Sequence, residues 1–303
     1  MAADVKNSEV KVDLASEADL AQAISPKSAF SDKTTRGIVL VIGGSDRYYG
    51  APVLASNAAY NSLVSLRTSA GYAKTYVPKG TLALTRGFSP NLVVNALGNK
   101  SITLNGTIRK EIEGSDAVAI GMGIGREPAA LRSAYGIIKH AMSNGKKVVV
   151  DADAIASVKG KKMSKDVVLT PHDREFLKLS GLSVSKTDIK DRAAKAMSVA
   201  RKLNANVLLK GHYTIITDGT RAKVSIPKTP ALATMGTGDV LSGIIAALAS
   251  SGASAYDAAV AGAYVHGRIG DALFEAKGAH ILAVDVIDMI PSVLKKYDRI
   301  TGR

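Results

Sequence analysis

Short apolar segments alternate with helical segments along most of the chain, and this alternation limits the fold more than any other feature. Apolar strands are predicted within GIVLVIGG (37–44), SDAVAIGMGIG (115–125), KKVVVDADAI (146–155), DVVLTPH (166–172) and NVLLKG (206–211). Continuous apolar strands are typical of a mostly parallel sheet that helices cover on both faces. Because ligands bind beyond the carboxyl ends of such strands, the polar residues that follow them are expected to share one neighbourhood.

The chain divides unevenly at about residue 30. Residues 1–30 are polar and weakly patterned, with one short helical candidate at 13–24, and we interpret them as an N-terminal extension. Residues 31–303 are expected to form a single α/β domain, since neither a linker nor a repeat interrupts the pattern. Near its end, TIITDGTRAKVSI (214–226) predicts a hairpin, because an Asp-Gly turn joins two apolar runs.

The composition is that of an ordinary globular protein, with 46% apolar and 22% charged residues and no cysteine. The missing cysteines exclude disulfides, thiolate nucleophiles and cysteine metal sites. No apolar run of membrane-spanning length and no secretory signal are found, so we expect a cytoplasmic protein without a membrane partner. The net charge of +14 invites nucleic acid, but the basic residues are scattered and aromatic residues make up only 5%. We therefore expect no nucleic-acid partner.

Two glycine-rich loops follow predicted strands. GGSDRYYGAPVLAS (43–56) lacks the lysine and hydroxyl ending of a P-loop, and it indicates either tight helix–sheet packing or close backbone approach to a bulky ligand. The second loop, at 121–125, has the pattern GxGxG. Asp151 and Asp153 follow one helix later, roughly where the ribose-binding acid of a dinucleotide fold stands. A Rossmann oxidoreductase therefore stays open as an alternative.

Polar side chains stand at two further strand ends. LTPHDREF (169–176) places His172 and Glu175 three residues apart at a predicted helix start. A proline and an acidic first turn are typical of an ordinary helix N-terminus, yet a histidine and a glutamate there also suit a ligand or a hydrated metal. The spacing does not match the HExxH of zinc proteases. Lys210 is either a solvated strand end or a counter-charge for phosphate.

An acid directly follows a Gly-Thr-Gly turn in TMGTGDVLSGIIAALASSG (234–252). Helix N-termini favour anions, whereas a carboxylate there repels a phosphate unless magnesium and the helix dipole offset its charge. Phosphoryl transfer needs backbone amides for the phosphate and a base beside the attacking hydroxyl, and the turn at 236–238 with Asp239 offers both. The other interpretation of Asp239 is an ordinary acid in the first turn of a helix.

The turn and the small-residue helix behind it resemble the anion-hole motif of the ribokinase-like superfamily. More narrowly, six segments in their order resemble ADP-dependent NAD(P)H-hydrate dehydratases. They are VLVIGGSDRYYGAP, GMGIG, LTPHDREF, LLKGHYTIITDG, GTGDVLSGIIAAL and AYVHGRIGD. The resemblance runs from about residue 30 to the end of the chain, and it implies a ribokinase-like three-layer sandwich.

The resemblance also implies an activity. Enzymes of this family act on the hydrated form of NADH or NADPH (NADHX or NADPHX), whose ring carries a hydroxyl at C6. Phosphorylation turns this hydroxyl into a leaving group, and elimination restores the nicotinamide, with ADP giving AMP and phosphate. For this chain the implied substrate is the (S)-hydrate, the implied cofactor is Mg²⁺, and the implied co-substrate is ADP or else ATP. Its small-residue helices also suit subunit contacts, and we expect a homo-oligomer.

Roles for individual residues follow from the matching positions. Asp239 would be the base, while the amides of Gly236, Thr237 and Gly238 would hold the transferring phosphoryl group. Glu175 would organise magnesium through water. The residues that would line the hydrate site are Ala51, Gly123, His172 and Asp239. Those that would contact the nucleotide are Lys210, Gly211, His212, Tyr213, Thr214 and Gly238.

One departure from the family pattern concerns the segment before Glu175. Asp173-Arg174 stands where the family often has proline and glycine, which leaves the backbone path there open. Besides the oxidoreductase, two alternatives remain. A small-molecule kinase of the same superfamily, of the hydroxyethylthiazole or hydroxymethylpyrimidine type, would share the GTGD turn but release a stable phosphorylated product. A non-catalytic nucleotide-binding protein would not need Asp239.

Overall fold

The computed structural model describes residues 10–24, 27–28, 37–65, 70–98, 100–297 and 300–301. The strands are β1 (Val12–Leu14), β2 (Lys27–Ser28), β3 (Gly37–Ile42), β4 (Ala70–Val77), β5 (Val93–Ala96), β6 (Ala117–Ile120), β7 (Lys147–Val150), β8 (Val167–Leu169), β9 (Asn206–Leu209), β10 (Thr214–Thr217), β11 (Ala222–Ser225) and β12 (Ile300–Thr301). The α-helices are α1 (Glu17–Ala23), α2 (Gly50–Ser65), α3 (Leu82–Arg86), α4 (Gly106–Glu113), α5 (Pro128–Ser143), α6 (Asp173–Ser180), α7 (Ile189–Leu203), α8 (Thr237–Ser250), α9 (Ala255–Lys277) and α10 (Ala283–Leu294).

Within the described residues, the main sheet has the strand order β1-β11-β10-β9-β8-β7-β6-β3-β4-β5. Neighbouring strands are parallel except where β10 is involved, which runs antiparallel to both β9 and β11. β10 and β11 form the predicted hairpin. A separate pair, β2 and β12, is also parallel. The predicted α/β fold with a mostly parallel sheet is confirmed.

Helices cover the sheet on both faces. Because successive side chains of a strand point to opposite faces, each buried strand contributes residues to two cores. In β3, Val39 and Val41 pack into a core with residues of α1, α2, α8, α9 and α10. Leu40 and Ile42 of the same strand enter a second core with residues of α4, α5, α6 and α7. The chain therefore forms the three layers that the sequence predicts.

Residues 12–23 join the same sheet and the same core as the rest of the chain. Strand β1 pairs in parallel with β11, with Val12 opposite Ala222. The short helix predicted within 13–24 is present as α1, whose Leu20 is fully buried in the core that α1 shares with α9.

The carboxyl ends of β3, β6, β7, β8 and β9 lie side by side at one edge of the sheet, because these strands are parallel and adjacent. Helix α8 packs across β3, β6 and β7. The polar residues that follow these strands therefore share one neighbourhood, as predicted. Within the part of the chain that the structure describes, no helix is long and apolar enough to cross a membrane.

Candidate active site

The N-terminus of α8 is formed by the Gly-Thr-Gly turn. Gly236 has a φ of 90°, a backbone conformation that favours glycine, and its missing Cβ leaves space for the end of the Leu54 side chain. The hydroxyl of Thr237 donates to the carbonyl oxygen of Leu232 at 2.7 Å, which ties the turn to the preceding loop. Asp239 follows in the first turn of α8 and is half-buried.

A buried ion pair lies beneath this helix. Asp151, which follows β7, is 1% exposed, and its Oδ1 accepts from Lys210 Nζ at 2.8 Å and from the Thr170 hydroxyl at 2.7 Å. Its Oδ2 accepts from the hydroxyl of Ser242, in α8, at 2.8 Å. Burial opposes ionisation, yet the Lys210 ammonium and these hydrogen bonds hold the pKa of Asp151 below its usual value. Asp151 is therefore an anionic anchor for Lys210.

Lys210 is in turn held as a cation. Burial would lower the pKa of Lys210, but the carboxylates of Asp151 and Glu175 raise it above its ordinary value. Its Nζ also lies near the first turn of α8, since a Cβ atom on Gly238 would be 3.3 Å from it. A fixed positive charge thus stands beside the helix N-terminus, where an anion would bind.

Asp239, in contrast to Asp151, has a raised pKa. Burial raises the pKa of Asp239 to about 8, and the nearby carboxylates of Asp151 and Glu175 act in the same direction against Lys210. Burial likewise raises the pKa of Glu175. In the ligand-free protein, Asp239 therefore takes up a proton near neutral pH. A cation bound beside it would restore its charged form.

His172 and Glu175 form the N-terminal cap of α6. The Nδ1 atom of His172 accepts from the backbone amide of Glu175 at 3.3 Å, and Oε2 of Glu175 accepts from the backbone amide of His172 at 2.9 Å. This reciprocal pair is a capping box, with histidine in the place that serine or threonine usually takes. Both side chains are thereby oriented towards the end of the sheet.

Arg192, which is 1% exposed, hydrogen-bonds both to the turn that begins at Lys210 and to the start of α6. Its Nη2 donates to the carbonyl oxygen of Lys210 at 3.0 Å, and its Nε donates to that of Tyr213, also at 3.0 Å. Its Nη1 donates to Oδ1 of Asp173, the first residue of α6, at 2.9 Å. The departure Asp173-Arg174 is thus accommodated by an ion pair at the start of α6.

Two cavities open at this edge of the sheet, with the first turn of α8 between them. The smaller has a volume of about 540 Å³, and its lining includes His172, Lys210, Gly211, His212, Thr214, Thr237 and Gly238. The larger has a volume of about 1260 Å³, and its lining includes Ala51, Gly123, His172, Glu175, Gly236 and Asp239.

The two cavities divide the predicted site residues. Each predicted hydrate-site residue lines the larger cavity, and the predicted nucleotide contacts line the smaller one, except that Tyr213 is not part of its lining. Residues after β9 and β11 border the smaller cavity, whereas residues after β3, β6 and β7 border the larger one. The two cavities therefore meet at the first turn of α8, where Gly238 lines the smaller one and Asp239 the larger one.

The larger cavity suits a hydrated magnesium ion. The described residues contain no group of three or more His, Asp or Glu side chains that could hold a metal alone. Magnesium, however, usually keeps several waters and binds through one or two carboxylates together with substrate phosphates. Asp239 and Glu175 both line this cavity and destabilise each other's charge, so a cation there fits both.

The sheet, its helical layers and the glycine turn of α8 define a ribokinase-like protein. A ribokinase-like superfamily protein from Enterococcus faecalis has a similar structure, with a TM-score of 0.81, 26% identity, and coverage of 95% of this chain and 97% of that one. The sequence profile described as NAD(P)H-hydrate dehydratase matches residues 39–292, and the chain belongs to that family. The resemblance seen in the sequence is confirmed.

One named relative and one solved structure are similar over nearly their full length. An ADP-dependent (S)-NAD(P)H-hydrate dehydratase from Cenarchaeum symbiosum is 35% identical over 290 residues, which cover 94% of this chain and 97% of the relative. The structure of an ADP/ATP-dependent NAD(P)H-hydrate dehydratase from Bacillus subtilis, co-crystallised with ATP and Mg²⁺, matches with a TM-score of 0.78 and 25% identity. That match covers 95% of this chain and 99% of the other.

The oxidoreductase alternative would use Asp151 or Asp153 to bind a ribose hydroxyl. The structure gives Asp151 another role. Its carboxylate is buried and occupied by Lys210, Thr170 and Ser242, so it does not offer a ribose hydroxyl a free acceptor. Asp153 accepts from the amide of Gly125 at 3.1 Å. Of the two acids, Asp151 thus serves Lys210, and Asp153 holds the glycine loop at 121–125.

Replacing Asp239 by asparagine is predicted to stabilise the ligand-free protein increasingly as the pH rises. The folded pKa of about 8 lies above the unfolded value, so the free energy of unfolding of the wild type falls between about pH 4 and about pH 8. At about pH 5 Asp239 is neutral in the folded wild type but ionised in its unfolded state, so the variant should be more stable by only about 1–2 kcal/mol. At about pH 9 the folded wild type must ionise this buried carboxyl, and we expect Asp239→Asn to be more stable by roughly 3–5 kcal/mol in urea denaturation.

Asp218 provides the control with the opposite sign. Burial opposes its ionisation, but hydrogen bonds from Thr220 and Arg221 lower the pKa of Asp218 to about 2. Its stabilising effect is present above the unfolded pKa, so Asp218→Asn should destabilise the protein to a similar extent at about pH 5 and about pH 9. Equal effects of Asp239→Asn at the two pH values would contradict the assignment.

Replacing Arg192 by methionine is predicted to lower the free energy of unfolding by about 2–4 kcal/mol, because several partly buried acceptors lose their donor. Arg201 on the same helix is the matched control, since it is exposed and donates to the carbonyl oxygen of Gly219. Arg201→Met should cost less than about 1 kcal/mol in the same urea titration. Similar losses for the two variants would show that Arg192 does not brace the site.

Proposed function

We propose that this protein dehydrates the (S)-hydrate of NADH or NADPH at the expense of ADP. The observation that carries the proposal is the position of Asp239, at a helix N-terminus between a smaller and a larger cavity. A phosphoryl donor on one side and an acceptor hydroxyl on the other would meet at this carboxylate. The family, and the names of relatives similar over their full length, support the same reaction.

The smaller cavity would bind the nucleotide. Lys210 supplies a fixed positive charge, and the N-terminus of α8 favours a phosphate. Residues 211–214 form the tight turn between β9 and β10 and would hold the rest of the nucleotide, together with Gly238. ADP is the proposed donor because the relative from Cenarchaeum symbiosum carries it in its name, and ATP is the alternative.

The larger cavity would bind the hydrate, with its damaged ring beside Asp239. Ala51 and Gly123 both line this cavity, and a Cβ atom on Gly123 would lie 2.5 Å from the carbonyl oxygen of Tyr48, so glycine allows the two loops that border the cavity to approach each other. His172 stands between the two cavities and would contact the substrate near the reacting hydroxyl. The larger cavity has more than twice the volume of the smaller one, in keeping with a dinucleotide against a mononucleotide.

Asp239 would act as the base that takes the proton of the C6 hydroxyl. Oxygen then attacks the terminal phosphorus of ADP, the phosphoanhydride bond breaks, and AMP leaves. The C6–oxygen bond breaks next and phosphate leaves with the bonding electrons, while the neighbouring ring carbon C5 loses a proton to solvent, and the C5–C6 double bond forms again. Glu175, with Asp239, would hold a hydrated Mg²⁺. When bound, this ion would offset the phosphate charge and keep Asp239 ionised.

The test is the recovery of dihydronicotinamide absorbance from chemically hydrated NADPH, with Mg²⁺ and either ADP or ATP. Wild-type protein should restore the absorbance only with a nucleotide. Asp239→Asn should lower the rate by at least about 100-fold, the usual contribution of a general base, while its affinity for ADP changes little. No recovery with either nucleotide from folded protein would contradict the proposal, and a stable phosphorylated hydrate would indicate a kinase.

A further inference from the structure

The larger cavity concentrates aromatic side chains in a chain that has few of them. Phenylalanine and tyrosine together make up only 5% of the residues. Tyr48, Tyr49 and Phe88 nevertheless all line this one cavity, and we call them the aromatic cluster. Phe88 is 55% exposed and Tyr48 is 46% exposed. Aromatic rings normally bury much of their surface, so rings left open towards a cavity indicate a ligand with a flat apolar face.

The cluster lies well away from the reacting end of the cavity. Tyr48 and Tyr49 stand in the loop between β3 and α2, and Phe88 follows α3, which packs against β5. The strand order from the catalytic end is β7-β6-β3-β4-β5. At about 4.8 Å between neighbouring strands, β7 and β4 are roughly 14 Å apart across the sheet. The cavity is therefore long, with Asp239 at one end and exposed rings towards the other.

Two rings of the aromatic cluster lie close to each other, and cationic side chains lie nearby. The ring centroids of Tyr49 and Phe88 are 6.2 Å apart, with an angle of 35° between the ring planes. The guanidinium carbon of Arg47 lies 5.3 Å from the centre of the Tyr48 ring, and Lys100 lines the same cavity. Aromatic faces with cations beside them are the usual means of holding a base and its neighbouring phosphates.

We propose that the aromatic cluster binds the adenine ring of the dinucleotide substrate, the half that the reaction leaves unchanged. The inference rests on the proposed function, which puts the damaged ring beside Asp239. A dinucleotide has two flat ends, and the cavity offers its second flat surface at the cluster. Adenine stacked there would bind equally before and during the reaction, so loss of the stacking would raise KM and leave kcat nearly unchanged.

The experiment compares two substrates and two proteins. The substrates are hydrated NADPH and the hydrate of reduced nicotinamide mononucleotide, which lacks the adenosine half. The proteins are the wild type and the double variant Tyr49→Ala, Phe88→Ala. We expect the double variant to raise KM for hydrated NADPH about tenfold, the loss of one stacked base, with kcat nearly unchanged. On the truncated hydrate both proteins should have the same KM, because the stacking partner is missing.

Phe274→Ala is the matched control, because Phe274 is a partly exposed aromatic residue of α9 that lines neither cavity. Its KM for hydrated NADPH should equal that of the wild type. Thermal unfolding of the three proteins checks that each is folded. Fluorescence titration with NADPH and with reduced nicotinamide mononucleotide repeats the comparison without turnover, so it holds even for a slow enzyme.

The outcomes distinguish a failure of the adenine site from a failure of the proposed function. Equal losses on the two substrates would make the aromatic cluster a structural support and overturn the inference. An unchanged KM and an unchanged NADPH affinity in the double variant would overturn it as well. Wild-type protein that binds NADPH through the cluster but restores no absorbance with either nucleotide would contradict the proposed function and leave the adenine site standing.

Discussion

The buried pair of Asp151 and Lys210 is the interaction on which the site depends. Through one carboxylate it joins the ends of β7, β8 and β9 to helix α8, since Thr170, Lys210 and Ser242 all donate to Asp151. Removing either charge would leave the other buried without a partner, which is far more costly than the loss of a surface pair. The pair therefore fixes both the position of α8 and the location of a cation beside its N-terminus.

A second consequence is electrostatic. Burial and the neighbouring carboxylates raise the pKa of Asp239 to about 8, and Lys210, which is also the counter-charge for Asp151, offsets this only in part. Without a bound cation, the carboxylates of the site are only partly neutralised by Lys210. A ligand that brings a cation would neutralise them further. In the proposed mechanism, cation binding would ionise Asp239 at the point where a base is needed. The local loss of stability would then serve activity, which is a common compromise at catalytic sites.

The sequence predicted the sheet, the strand ends and the glycine turn, because local apolar runs and turn residues determine them. It did not predict the role of Asp151, whose partner Lys210 is 59 residues away. Nor did it single out Arg192, which sits in an amphipathic helix where a charged residue is normally exposed, yet is buried and hydrogen-bonded to the turn after β9. Such long-range polar pairs depend on tertiary packing and leave no periodic signal along the chain.

The most direct test of the account follows the oxygen of the C6 hydroxyl. NADPH hydrated in water enriched in oxygen-18 carries the label in that hydroxyl, and the wild type then converts it with ADP and Mg²⁺ in ordinary water. If Asp239 directs the hydroxyl to the phosphorus of the nucleotide, the label must appear in the released phosphate, as mass spectrometry would detect. Label found in water, with unlabelled phosphate, would mean elimination without phosphoryl transfer and would contradict the central claim.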